Sequence, residues 1–190
     1  GTLVALLAVL GLVAWNIMPT YVESYRAASL ERRTLCFTPN AGGGYDVAAA
    51  PFQFDRDLGD DLGLADALEE TASVALDFAF PFYGRTYAQV YVMNDGAVGL
   101  GAPLDHRSIQ YHYGPTPAIF PLYIDLIPEV GEGGIFARRD ADRLVITWHR
   151  VPAFHMQQTT YTFQLVLHQD GVFEMTYDGI PPELTFRPDN

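Results

Sequence analysis

The sequence predicts a mainly β protein, an antiparallel β-sandwich behind one N-terminal transmembrane helix. Three observations predict it. From Val74 onward, short runs alternate apolar with polar residues and are divided by turn residues. The 12 Phe and 11 Tyr, against only 18% charged residues, suit pleated, half-buried surfaces better than helices. Between Thr2 and Met18 no charged residue occurs. Once that stretch is set aside, the rest of the 190 residues suffices for one soluble domain with a proper core. The predicted organisation is residues 1–35 as a transmembrane helix with a polar helical extension, 36–73 as a Gly/Asp-rich linker or irregular segment, and 74–190 as the sandwich.

The N-terminal run would span about 25 Å as a helix, a little short of a hydrocarbon core of ~30 Å. Leu3, Val4, Leu6, Leu7, Val9, Leu10, Leu12 and Val13 cover every face of such a helix, which fits lipid and not a one-sided core contact. A cleavable signal peptide is the competing reading, but no small-x-small site precedes the polar segment. Trp15, Tyr21 and Tyr25 stand where an interfacial aromatic belt belongs, and Pro19 would interrupt the helix there. Tyr21 to Leu35 then reads as a polar continuation carrying Glu23, Arg26, Glu31, Arg32 and Arg33. The apolar helix, the proline and a β-rich head also match the plan of a pilin-like filament subunit. Against that, Ala5 stands where pilins carry a glutamate.

Residues 36–73 open with Cys36, the single cysteine, which excludes an internal disulfide framework. Gly42 to Gly44 read as a linker, because a phosphate-cradling glycine run needs a strand, a helix N-terminus and a following Lys. Asp55, Asp57, Asp60 and Asp61 are weak candidates for a calcium site, since calcium takes oxygen ligands from a tight loop. Their spacing matches no EF-hand, and a solvated acidic loop is the alternative.

In the third segment, Val74 to Phe80 alternates and stops at Pro81. Gln89 to Met93 runs into Asn94-Asp95-Gly96, a hairpin turn signal, with Ala97 to Leu100 as the return strand. Further strands are predicted at Ile119–Leu126, Gly134–Ala137, Leu144–His149, Thr159–His168 and Val172–Tyr177. In the last pair, Tyr161, Phe163, Leu165 and Leu167 share one face and Phe173, Met175 and Tyr177 answer on the return strand.

Several of these runs, taken in order, carry a resemblance. Phe78-Ala79-Phe80-Pro81-Phe82-Tyr83-Gly84-Arg85-Thr86-Tyr87, Val90 to Gly96, Leu122-Tyr123-Ile124-Asp125-Leu126, Val145-Ile146-Thr147-Trp148, and Thr162 through Asp170-Gly171 to Tyr177 and Ile180-Pro181 resemble one β-rich module. That module occurs in bacterial surface proteins and is similar to nidogen-like and plexin-domain-containing ectodomains. The resemblance covers about Ala75 to Pro181 and implies an extracytoplasmic sandwich for display or protein contact, without catalytic residues. Asn94-Asp95-Gly96 departs from the Ser-Asn-Gly common in relatives but leaves the turn intact. Soon after Pro181 the chain stops, where relatives continue into repeats, which suggests a module working alone or within an assembly. Arg26, Arg32 and Arg33 beside the anchor would by the positive-inside rule place the head in the cytoplasm. The resemblance places it outside.

The net charge of -12, with every cation an arginine, excludes nucleic acid as a partner, because phosphate binding needs basic patches. It also disfavours adhesion to anionic headgroups. Membrane attachment must therefore come from apolar burial. His106, His112, His149, His155 and His168 show no zinc-ligand spacing, so surface histidines are expected. Ser108 near His106 lacks a nucleophile elbow. Asp125, at the end of an apolar run, is either half of an acid-base pair or a turn carboxylate. Tyr111, Tyr113, Phe120 and Tyr123 form a candidate contact surface, with core packing as the alternative.

These readings converge on a non-catalytic, membrane-anchored accessory protein with no cofactor. It would be single-pass in a bacterial inner membrane, with the head on the periplasmic side. The expected partners are lipid and other membrane subunits, in a respiratory or photosynthetic type complex or a surface assembly. Numbering that opens at Gly1 with the apolar run retained fits a chain taken from its native membrane. The rival from another class is a carbohydrate- or calcium-binding adhesion module.

Overall fold

The computed structural model describes residues 30–65, 71–104, 116–154 and 156–180. The chain forms β1 (Arg33–Pro39), β2 (Tyr45–Ala50), β3 (Asp60–Asp61), β4 (Thr71–Phe82), β5 (Arg85–Met93), β6 (Val98–Leu100), β7 (Ala118–Ile119), β8 (Gly134–Arg139), β9 (Arg143–Ala153), β10 (Met156–His168) and β11 (Phe173–Tyr177). Two antiparallel sheets result, one of seven strands in the order β2-β1-β11-β10-β9-β8-β3 and one of four in the order β4-β5-β6-β7. They enclose one main core.

The strand period decides which side chains fill that core. Leu35 and Phe37 of β1, Phe163, Leu165 and Leu167 of β10, Leu144, Ile146 and Trp148 of β9, and Ile135 of β8 point inward from the larger sheet, all buried. Val90 and Val92 of β5, Val98 and Leu100 of β6 and Phe80 of β4 face them from the smaller sheet. Trp148 stacks on Phe163 with ring centroids 4.8 Å apart, and its indole N–H donates to the Met93 carbonyl at 3.0 Å, tying β9 to β5. Phe37 stacks on Phe173 at 4.4 Å toward the opposite end of the larger sheet.

The alternation read in β10 and β11 is present as predicted, and the mainly β, antiparallel class stands. Several boundaries differ: β4 runs through Pro81 to Phe82, β8 reaches Arg139 and β9 reaches Ala153, and three further differences change the architecture. The segment 36–73, expected as linker or irregular, supplies most of β1 and all of β2 and β3, and the sandwich begins at Arg33. The pairing responsible is Arg33↔Tyr177 through Phe37↔Phe173, a partnership between distant parts of the chain. Arg33, Thr34 and Leu35 accordingly belong to a strand and not to a helical extension of the anchor. Ile119–Leu126, expected as one strand, gives only Ala118–Ile119 and an isolated bridge at Leu126, with an irregular segment between them.

What remains irregular in 36–73 has a defined place. Residues 51–59 leave β2 at one edge of the larger sheet and arrive at β3 on the other edge, crossing its outer face as a strap. Beneath the strap the register aligns four polar side chains: Thr34 opposite Thr176, Thr176 opposite Gln164, and Gln164 opposite Thr147. All four are at most 2% exposed. Burial of polar groups is tolerable only where hydrogen bonds replace water, and here they do. Thr34 and Thr176 share a hydroxyl hydrogen bond at 2.9 Å. The Gln53 N–H donates to Thr34 Oγ1 at 3.1 Å, and Gln164 Nε2 donates to Thr147 Oγ1 at 2.8 Å.

Among the described residues no helix is long and apolar enough to cross a membrane. The predicted anchor residues, Leu3 to Trp15, lie outside the described residues.

Candidate functional site

Strand directions give the sandwich two distinguishable ends. The start of β1, the end of β11, the end of β9 and the start of β10 lie together, as the pairs Arg33↔Tyr177, Phe163↔Tyr177 and Met156↔Ala153 require. This is the near end, where Leu30 joins the sandwich and Ile180 leaves it. The far end carries the turns at Asn40–Gly44, Tyr83–Gly84 and Gln169–Gly171.

At the near end two irregular segments meet. The Asp95 carboxylate accepts the Leu126 N–H at 3.0 Å and its carbonyl accepts the Ile124 N–H at 3.2 Å, so the Asn94-Asp95-Gly96 turn holds residues 122–126 in place. Gly96 at φ 78° is required, because a Cβ would strike the Leu122 carbonyl oxygen. Residues 125–127 are then fastened to the β9–β10 turn. Phe154 N–H donates to the Asp125 carbonyl and Ile127 N–H to the Pro152 carbonyl, each at 2.9 Å. From inside the core the Tyr177 hydroxyl donates to the Pro121 carbonyl at 2.7 Å, and burial keeps it protonated far above the ordinary tyrosine range.

The surface so built is apolar in an unusual way. Phe120, Tyr123, Val130, Phe154 and Met156 are the large hydrophobic side chains that stand exposed among the described residues, between 38% and 55%. Three belong to residues 120–130, and Phe154 and Met156 lie in and just after the β9–β10 turn, at the near end. Phe120 and Tyr123 pack edge to face at 5.8 Å. Scattered exposed hydrophobics are ordinary, whereas a set confined to one end of a domain marks a contact surface.

Beside this set lies an open trough of about 550 Å³ lined by Asn94, Asp95, Tyr123, Asp125 and Glu129 among others. Burial first, then the Asp95 and Asp125 carboxylates, raises the Tyr123 pKa, so its hydroxyl remains a hydrogen-bond donor. Asp95 holds backbone, as above, and the Asp125 backbone does the same for Phe154.

The candidate calcium ligands are placed elsewhere. Asp55 sits on the strap and receives the Arg138 guanidinium in a two-pronged pair, with Nη1 to Oδ1 at 2.7 Å and Nη2 to Oδ2, while Arg143 Nη2 reaches it at 3.2 Å. Arg138 also pairs with Asp140 at 3.1 Å and lies 3.6 Å from Asp57. Hydrogen bonding to Arg138 is the chief reason that Asp55 and Asp140 are held below the usual carboxylate range. Asp60 and Asp61 belong to β3, where the Asp61 carboxylate accepts the Gly63 N–H at 2.9 Å. Guanidinium groups already compensate Asp55, and no group of His, Cys, Asp or Glu among the described residues is arranged to hold a metal.

Of the four aromatic contact candidates, Phe120 and Tyr123 share the near end, while Tyr111 and Tyr113 lie outside the described residues, as do His106, Ser108, His112 and His155. His149 is on the outer face of β9 with its Nδ1 buried and unbonded, and His168 faces Glu174 at 3.5 Å. Cys36 lies on β1 with its thiol 3.8 Å from the Thr38 hydroxyl. Sequence reasoning missed Val130, Phe154 and Met156. The available signal was Ala153-Phe154-His155-Met156, where apolar residues occupy a hairpin turn that polar residues normally fill.

The joint at Leu30 was missed too. Glu31 Oε2 accepts the N–H of Gly179 at 2.9 Å and of Ile180 at 2.7 Å. Arg32 pairs with Asp178 at 2.7 Å, Arg56 of the strap reaches the same carboxylate at 3.0 Å, and Arg32 lies over the Phe52 ring at 3.9 Å. No solved structure matches the chain. Residues 44–185, most of the sequence and most of the sandwich just described, match the family model described as NIDO related. A nidogen-like domain is what the ordered turns and strands spell out, and the chain belongs to the NIDO-related family.

Proposed function

We propose that this chain is a non-catalytic, membrane-tethered accessory protein: residues 2–18 hold it in a bacterial inner membrane, and the nidogen-like sandwich is a rigid extracytoplasmic head that contacts other membrane subunits. The observation that carries this reading is the joint at Leu30. Its Glu31 and Arg32 are bonded at once to the end of β11 and to the strap, so the polypeptide arriving from the apolar segment meets the head at a braced point. A flexible leash would need none of these bonds. Bracing of this kind suits a part that must be held in one orientation beside its neighbours.

The polar chemistry points the same way. The described carboxylate and guanidinium groups whose pKa is perturbed, Asp55, Asp140 and Arg138, pair with one another and fasten the strap. The long edge strands, Tyr45–Ala50 and Thr71–Phe82, offer backbone rows to which partner chains can add.

Gentle detergent extraction of the full chain from its native membrane, followed by identification of what co-purifies, tests the proposal. Stable co-purification with membrane subunits is expected. A chain that emerges alone and monodisperse removes the accessory role, and one that is released without detergent removes the tether.

A further inference from the structure

We infer that the near end of the sandwich is a lipid-seating surface, with Phe120, Tyr123, Val130, Phe154 and Met156 resting in the boundary between headgroups and acyl chains of a bilayer. The inference deepens the proposed function and rests on the reading of residues 2–18 as an anchor.

Position is the first argument. The chain joins the sandwich at Leu30, at the end that carries all five exposed side chains. Eleven residues, 19–29, separate Met18 from Leu30. Their contour cannot exceed about 40 Å fully extended. The far end lies roughly 30 Å beyond the near end, the length of a nine-residue strand. Tether length alone does not select an end; the near end faces the membrane because the chain enters there and the Glu31 and Arg32 bonds fix how the head leaves the tether.

Chemistry supplies the second argument. Phe, Tyr, Met and Val on backbone held by Asp95 and Pro152 form an apolar tip rimmed by carboxylates. Aromatic residues with a polar atom settle at membrane interfaces, where the ring is buried and the hydroxyl stays wet. Burial of a few such side chains stabilises interfacial binding without any basic residue. The trough beside the tip places Asp125 and Glu129 at the rim, and the chain carries a net charge of -12. Anionic headgroups are thus disfavoured, and a zwitterionic phospholipid surface is what this tip fits, with phosphatidylcholine as its probe.

The test uses the full chain reconstituted in phosphatidylcholine vesicles. Met156→Cys in a Cys36→Ser background receives an environment-sensitive fluorophore. Ala41→Cys, exposed on the far-end turn, is the control. Vesicle flotation is scored first, then quenching by phosphatidylcholine brominated near the headgroup. Flotation with loss of most of the Met156 signal and none of the Ala41 signal is expected. Flotation with neither signal quenched overturns the inference and leaves the anchor standing, whereas failure to float overturns the anchor reading. A Met156 probe shielded from water but untouched by the brominated lipid places a second copy of the chain on the tip, and that also overturns the inference.

Discussion

The Gln164 side chain pairs with the backbone of Asp55 at both of its polar atoms: Oε1 accepts the Asp55 N–H at 2.9 Å and Nε2 donates to the Asp55 carbonyl at 2.7 Å. A side-chain amide thereby imitates a neighbouring strand, and the strap is held to the outer face of the larger sheet with no strand of its own. The same Nε2 reaches Thr147, so one residue satisfies the strap and the sheet beneath it.

Replacing Gln164 with Leu keeps the volume and strips away those partners. The half-buried Asp55 N–H and C=O and the buried Thr147 hydroxyl lose their partner, and the expected loss is about 2 to 3 kcal/mol. Chemical denaturation of the full chain in detergent measures it. A change within error of zero would mean that the strap is not seated on the sheet.

Asp55 should also give the fold an acid limb. Its pKa is depressed first by the hydrogen bond from Arg138, against an opposing effect of burial, and Asp140 is depressed for the same reason. A carboxylate whose folded pKa lies below its unfolded value, about 3.9, contributes stability that is complete above that value and lost as pH falls through the folded one. Melting temperature should therefore drop below about pH 4. Asp55→Asn should lower the melting temperature at pH 7 and flatten the drop. An unchanged acid limb in that variant would count against the Arg138 pair.

Why the strap escaped sequence reading follows from these pairs. Asp55 and its counter-ion Arg138 are 83 positions apart, and each sits in a local stretch that looks solvated: an acidic loop for one, a charged turn for the other. Thr34, Thr147, Gln164 and Thr176 occupy strand positions facing away from the core, where polar residues normally mean solvent. Nothing local announces that a segment crosses above them. β1 was hidden in the same way, since its partner β11 lies at the other end of the chain. By contrast, β5, β10, β11 and the Asn94-Asp95-Gly96 turn were legible, because alternation and turn chemistry are local properties. Two of the five near-end residues were legible as well: Phe120 and Tyr123 stood in an aromatic stretch, while Phe154 and Met156 join them through long-range pairings such as the Leu126–Ala153 bridge and the Phe154–Asp125 hydrogen bond.

His149 predicts a second, milder acid response. Burial, then Arg150 and Arg56, lowers its pKa, and its Nδ1 is buried without a partner. The unfolded chain, with a histidine pKa near 6.5, then binds the proton more readily than the folded chain, so this residue's contribution falls as pH drops below about 6.5. His149→Gln should show a smaller decrease in melting temperature between pH 7.5 and pH 5.5 than the unaltered chain. Equal decreases would remove His149 as the source.

Gly96→Ala should loosen the near end. Its φ of 78° strains any L side chain, at about 1 to 3 kcal/mol, and the added Cβ strikes the Leu122 carbonyl oxygen. Because Trp148 bonds to the Met93 carbonyl just before this turn, its fluorescence should shift with the turn's geometry. An unaltered spectrum and melting temperature would contradict the packing of residues 122–126 on the turn.

The joint at Glu31 predicts a local effect and not a global one. Arg32 and Arg56 are more than half exposed, so their pairs with Asp178 add little to overall stability. Glu31 differs, because its carboxylate takes the backbone N–H groups of Gly179 and Ile180, two residues that lie past the end of β11. Glu31→Ala should therefore speed hydrogen exchange at residues 179 and 180 by a large factor while exchange in β9 and β10 stays as it was. The contrast follows from how stability is distributed: opening the end of β11 need not open the core strands it adjoins. If exchange at 179 and 180 is unchanged in Glu31→Ala, the joint does not brace the head, and the orientation argued for it loses its basis.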